Sequence, residues 1–146
     1  MAWTASGLYY LTFRDILDTT QLAVNLDLTT NQIAMYNNTE TPNFDTEVAY
    51  ATTNEVTGTG YTAGGQDVVS PAFSVSPAGT LMFDLGDQVW ASPTSVTARG
   101  AKLWCEALAT DNLVVGINFG SDFTSTAGTF TIQWPATGVF TIDLTP

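Results

Sequence analysis

Three segments near the C-terminal end alternate apolar and polar residues with period two: Leu113–Phe119, Thr129–Trp134 and Val139–Leu144. That period belongs to a strand with one buried face, and it cannot be satisfied by a helix. The separators Thr110-Asp111-Asn112, Gly120-Ser121-Asp122 and Pro135-Ala136-Thr137-Gly138 carry turn chemistry. Upstream, Val69, Phe73 and Val75 alternate up to Pro77-Ala78-Gly79, with Pro71 placing this strand at an edge or a bulge. Leu81, Phe83 and Leu85 follow, then Gly86-Asp87 as a turn, Val89-Trp90, and a strand over about 101–108. Seven or eight short strands at this spacing predict a mainly β chain, an antiparallel β-sandwich. Val115, Ile117, Phe119, Phe130, Ile132, Trp134, Phe140 and Ile142 are its expected core.

Composition agrees with that reading. Roughly one residue in six is threonine, a β-branched residue suited to a half-wet strand face. The length of 146 residues is that of one domain, and no repeat or linker divides it. The start, residues 1–20, holds the one helical pattern: Tyr9, Phe13, Ile16 and Leu17 share a face, and Ser6 is placed to cap it. Leu22, Val24, Leu26 and Leu28 then alternate as a half-buried strand or extended ribbon, and Ile33-Ala34-Met35-Tyr36 resumes the pattern. Between Asn37 and Gly65 lies a long loop containing Gly58, Gly60, Gly64 and Gly65, with room for one helical turn at 46–51. A loop of that length inside a compact domain usually has a task. Contact with another chain is the expected one, anchored by Phe44, Val48, Tyr50 and Tyr61.

The residues that are scarce limit the chemistry. Histidine is absent, which removes imidazole acid–base catalysis and His-ligated metals. The single cysteine, Cys105, excludes an intrachain disulfide and shares strand parity with Leu103 and Ala107, as a buried inert thiol would. With 14 acidic residues against Arg14, Arg99 and Lys102, the formal charge is −11, which opposes nucleic acid and anionic membranes. No apolar run reaches the length of a membrane span, and the first residues lack the pattern of a secretory leader. Synthesis in a cytoplasm is the expectation.

Candidate sites are few. Glu40, Asn43, Asp45 and Glu47 offer oxygen ligands for Ca²⁺, but not at EF-hand spacing, so a solvated acidic loop is expected. Asp84 and Asp87 flank a tight turn, where Asp belongs without any catalytic role. Asn37-Asn38-Thr39 fits a glycosylation sequon, a weak match without a leader. Gly58, Gly60, Gly64 and Gly65 lack the spacing of a phosphate loop. No catalytic, cofactor or metal residue emerges. If Leu103 and Cys105 face the core, Lys102, Trp104 and Glu106 share an outer face, and Trp104 becomes a contact anchor there. Alternatively Trp104 is the core residue, with Gly100 introducing a bulge that shifts the register.

Several segments together carry a resemblance. They are Met35-Tyr36-Asn37-Asn38-Thr39, Thr41-Pro42-Asn43-Phe44-Asp45-Thr46, Asn54 to Gly65, Thr97-Ala98-Arg99-Gly100-Ala101, Ile117-Asn118-Phe119-Gly120-Ser121-Asp122 and Ala127 to Trp134. This series resembles a family of small structural proteins of tailed bacteriophages, and covers most of the chain. The resemblance implies a non-enzymatic virion component assembled in the host cytoplasm. Its implied role is a decoration protein on the exterior of the major capsid lattice, with the major capsid protein as partner and a small homo-oligomer as its form. Trp3, Tyr9, Phe44, Tyr61 and Trp104 are the expected interface residues. A tail or fibre component, or a carbohydrate-binding adhesin, is the alternative.

Overall fold

The computed structural model describes residues 3–76 and 79–145, so Pro77 and Ala78 of one expected turn lie outside it. The chain forms an antiparallel β-sandwich with one short helix and a long glycine-containing loop. In chain order the elements are β1 (Gly7–Leu8), α1 (Tyr10–Leu17), β2 (Gln32–Tyr36), β3 (Gln66–Asp67), β4 (Val69–Ser76), β5 (Thr80–Gly86), β6 (Gln88–Cys105), β7 (Asn112–Ile132) and β8 (Phe140–Asp143). A five-stranded sheet has the order β1-β7-β6-β2-β3, and a three-stranded sheet the order β4-β5-β8.

The largest departure from expectation is that β6 and β7 are long. The segments around Trp90 and Ala101 join into one strand of 18 residues, and those around Leu113 and Thr129 into one of 21. Gly120-Ser121-Asp122 is therefore not a turn between strands. The pairing instead absorbs irregularities, with register shifts between Trp90 and Thr94, Thr94 and Val96, Ala98 and Gly100, and Leu103 and Trp104. Pro93 accounts for the first, since it brings no ladder donor. The bulge expected at Gly100 is present.

Between the layers lies a core of Ile33, Met35, Phe83, Leu85, Trp90, Ala98, Leu103, Val115, Phe130 and Ile132. Ile117, Phe119, Trp134 and Phe140 pack against it while partly exposed. Of the eight expected core residues only Ile142 stays outside this cluster, half-buried towards one end of the smaller sheet. The register makes that end visible. Phe73, Phe83 and Phe140 lie opposite one another across the three strands, as do Val75, Leu81 and Ile142. The first row is covered except at the edge strand: Phe83 is buried and Phe13 of α1 lies edge-on to Phe140 at 6.1 Å, while Phe73 is exposed. The second row is not: Val75 is 80 % exposed.

Local expectations met mixed outcomes. Pro71 does sit in an edge strand with a shift between Val69 and Ala72. Residues 22–28 form no ladder, but alternate exposed and covered as an extended ribbon ending on buried Leu26. The helix begins at Tyr9 without a side-chain cap, because the Ser6 hydroxyl is occupied accepting the backbone N–H of Asn118 at 2.9 Å. Its buried residue is Thr12, whose hydroxyl donates to the Leu113 carbonyl at 2.6 Å, while Leu17 is exposed. Residues 46–51 contain no helical turn; the turn lies earlier, closed by Glu47 N–H on the Asn43 carbonyl.

Phe83 is fully buried between Phe73 and Phe140, with ring centroids at 5.0 and 5.3 Å. Phe83→Ala is expected to lower unfolding free energy by about 3–5 kcal/mol in denaturant titration. Leu17→Ala, on an exposed position, should change it by less than about 0.5 kcal/mol.

Candidate functional site

The second face of the five-stranded sheet is where the expected contact residues gather. Gly100 and Gly116 leave bare backbone on β6 and β7, and aromatic rings fill the space. A side chain at Gly100 would meet the Trp3 ring at 2.6 Å, and one at Gly116 would meet Phe44 at 2.8 Å. Tyr9 packs on Phe44 at 5.1 Å, and Trp104 stacks on Tyr50 at 4.5 Å with planes 12° apart. Trp104 also donates its indole N–H to the Gly64 carbonyl at 3.2 Å.

The parity expected for Trp104 is thus correct, but the face it occupies is not wet. Trp3, Tyr9 and Trp104 are all buried, and Phe44 is half-buried, under the N-terminal segment and the loop of residues 37–65. Tyr61 is apart from the other four. It packs on the core side near Trp90, with centroids 6.1 Å apart. None of the five stands free as an exposed anchor in the single chain. The loop packs against its own sheet through Phe44, Tyr50 and Tyr61. Period-two patterning reports which side of a strand a residue takes, and says nothing of what later covers that side.

Lys102 is the centre of this covered face. Its ammonium lies 2.6 Å from Glu40 Oε1 and 3.0 Å from Glu47 Oε2, with the Lys102 and Glu40 side chains only 6 % and 7 % exposed. The rings of Tyr36 and Tyr9 flank it at 4.7 and 5.9 Å, close enough for cation–π attraction. Glu40 Oε2 accepts from Asn54 Nδ2 at 3.0 Å, and Asn54 Oδ1 accepts from the Thr39 hydroxyl. The acidic loop is therefore not simply solvated: two of its carboxylates neutralise a buried cation. Asn43 instead accepts the backbone N–H groups of Asp45 and Thr46. Among the described residues no group of three or more Cys, Asp or Glu side chains is arranged to hold a metal ion.

Glu55 organises the neighbouring part of the loop. This buried carboxylate accepts both the Tyr50 and Tyr61 hydroxyls at 2.5 Å and the Gly64 N–H at 2.8 Å. Tyr61 in turn accepts the Met35 N–H of β2 at 2.9 Å. Gly65 follows with φ +86°, its Cα pressed so close to β2 that a Cβ would meet the Ile33 carbonyl oxygen at 1.8 Å. Only glycine fits there. Burial, followed by nearby carboxylates, raises the hydroxyl pKa of Tyr9 and Tyr36; burial and the bond to Glu55 do the same for Tyr50 and Tyr61.

The other candidates resolve into structural duties. Cys105 is buried, which pushes its thiol up to about 11. Asp87 caps the chain after β7, accepting from Gln133 Nε2 and the Trp134 N–H, and Asp84 accepts the Leu85 N–H. In the sequon, Asn37 Oδ1 accepts the Thr39 N–H and hydroxyl. Arg99 pairs with Asp122 at 3.6 Å, and Arg14 with Asp15 and Asp18 at 2.6 and 3.6 Å. No helix among the described residues is long and apolar enough to cross a membrane.

Removing the Tyr61 hydroxyl would leave the Met35 N–H and one bond to Glu55 unmade. Tyr61→Phe is expected to cost about 1–3 kcal/mol of stability, measured by denaturant titration. The raised tyrosines and Cys105 give a pH dependence of definite sign. These groups keep their protons longer in the folded chain, so their contribution is complete below the unfolded values, roughly 8.5 for Cys and 10 for Tyr. It is lost as pH rises beyond them. Unfolding midpoints should fall above about pH 9, and phenolate absorbance should appear at higher pH in folded than in denatured protein.

No protein-family model, curated protein or solved structure matches this chain.

Proposed function

We propose that this chain is a non-enzymatic structural component of a tailed-bacteriophage particle, seated on the exterior of the major capsid lattice. The observation that carries this reading is the uncovered apolar end of the three-stranded sheet. Val75, Leu81 and Ile142 form a row on its core-side face, Phe73 lies beside them, and Leu144, two residues beyond Ile142, is 66 % exposed. Contiguous apolar surface of this kind marks a site of association.

Charge supports the exterior position. All three Lys and Arg side chains are paired within the chain, so most of the acidic excess, buried Glu55 apart, is left on the surface with little local compensation. Such a surface is repelled by packaged DNA. It also leaves attachment to neutral contacts. The resemblance noted in the sequence supplies the identity of the partner, the major capsid protein.

A second reading, a tail or fibre component that binds carbohydrate, draws on a groove of about 390 Å³ along β7. Phe119, Phe123 and Phe130 offer aromatic surface there, and Thr124, Thr129 and Gln133 offer hydrogen bonds, with no ionisable side chain in its lining. Neutral sugars are held by that combination of faces and polar groups.

Quantitative mass spectrometry of purified particles separates the two readings. Hundreds of copies per particle are expected; a handful moves the protein to the tail, and absence overturns both. On particles, Val75→Asp should reduce occupancy at least about tenfold, as a charge placed in an apolar contact does, without unfolding the free protein. Attachment should persist as salt rises, because screening acts on ion pairs and these contacts have few.

A further inference from the structure

The Lys102 cluster has more than the parts of an ion pair. A primary amine nitrogen is pressed against one carboxyl group, Glu40, at 2.6 Å. That carboxyl's other oxygen receives an N–H from Asn54 at 3.0 Å. A second carboxyl, Glu47, touches the same nitrogen at 3.0 Å while its side chain is 31 % exposed and so reaches towards solvent. Tyr9 and Tyr36, both buried, line the space around them. Nucleophile, acyl carbon, oxyanion donor and proton carrier are all present within one site.

We propose that Lys102 and Glu40 condense to an intramolecular isopeptide bond between Nζ and Cδ. A proton first passes from the ammonium to the Glu40 carboxylate, giving an uncharged amine and carboxylic acid. The amine attacks Cδ, and the negative charge that develops on Oε2 is met by the Asn54 N–H. Glu47 takes a proton from the attacking nitrogen and delivers it to Oε1. The Cδ–Oε1 bond breaks and one water leaves. Of the three ammonium protons, one remains on the amide nitrogen and two depart on that water; nothing is oxidised or reduced. Holding amine and acyl group in contact supplies an effective concentration on the order of 10⁵–10⁸ M, which free lysine and carboxylate in water never have. The product ties β6 covalently to a loop 62 positions away in sequence.

Intact-mass spectrometry of the full chain, denatured before measurement, tests this directly. The expected mass is lower than that of the sequence by one water, and fragmentation should give a branched peptide joining Lys102 to Glu40. Lys102→Met should show its full sequence mass. Glu47→Gln, confirmed as folded by circular dichroism, should close about 100-fold more slowly, since it loses the proton carrier while keeping the strand and loop. Wild-type protein at full sequence mass after prolonged incubation overturns the proposal. So does loss of water that persists in Lys102→Met, or closure of folded Glu47→Gln at the wild-type rate.

Discussion

A lysine ammonium sits in the middle strand of a five-stranded sheet, and the two carboxylates that neutralise it come from a loop that begins beyond the sheet's next strand. Removing one partner from a buried pair leaves an uncompensated charge, at a cost of about 3–5 kcal/mol. That cost fixes the loop. Once Glu40 and Glu47 are drawn onto Lys102, Phe44 between them is brought down onto Gly116, and Tyr9 packs against Phe44. Tyr50, a few residues further on, reaches Trp104. The aromatic cover of the second face is assembled around one cation.

The two sides of the sheet are consequently unlike each other. One side is an ordinary apolar layer, Ile33, Leu103, Val115 and their neighbours. The other mixes rings with charge: Tyr36 and Tyr9 flank an ion pair, Trp3 and Trp104 belong to the same two ring clusters, and Glu55 gathers two hydroxyls and an amide at the rim. Lys102, Glu40 and Glu55 find partners there, whereas the Tyr9 hydroxyl and the Trp3 indole N–H are buried without one, a cost set against the network. The glycines at 100 and 116 serve that arrangement by letting the Trp3 and Phe44 rings approach the strands closely. Among the described residues no such cover lies over Val75 and Leu144 of the small second sheet, and both face outward.

Much of this was legible in the sequence. Period-two runs gave the strands and the mainly β class, Pro71 its edge position, and Gly100 its bulge. Two kinds of information were not. Gly120-Ser121-Asp122 has the composition of a turn, yet lies within β7, because a long strand absorbs extra residues as bulges where its partner allows. The covered face was hidden for a different reason. Lys102 meets Glu40 and Glu47 across separations of 62 and 55 residues, and no local pattern encodes a pair that distant. Aromatic residues in an outer-face position read as contacts for another molecule; here the other surface is the chain's own N-terminal segment and loop.

The same scarcity of cations has a consequence for how long the protein survives among proteases. An enzyme that cuts after Lys or Arg finds three candidate bonds in this sequence. Two of them, after Arg99 and Lys102, lie inside β6, where it is paired with β7 on one side and with β2 on the other. Cleavage requires a segment of several residues to leave such a ladder and extend into the enzyme, which here means opening the centre of the sheet. The third bond follows Arg14 in the helix, where a cut would release the piece bearing Trp3 and Tyr9 from the face they cover. Durability towards this class of enzyme therefore rests on one eight-residue helix.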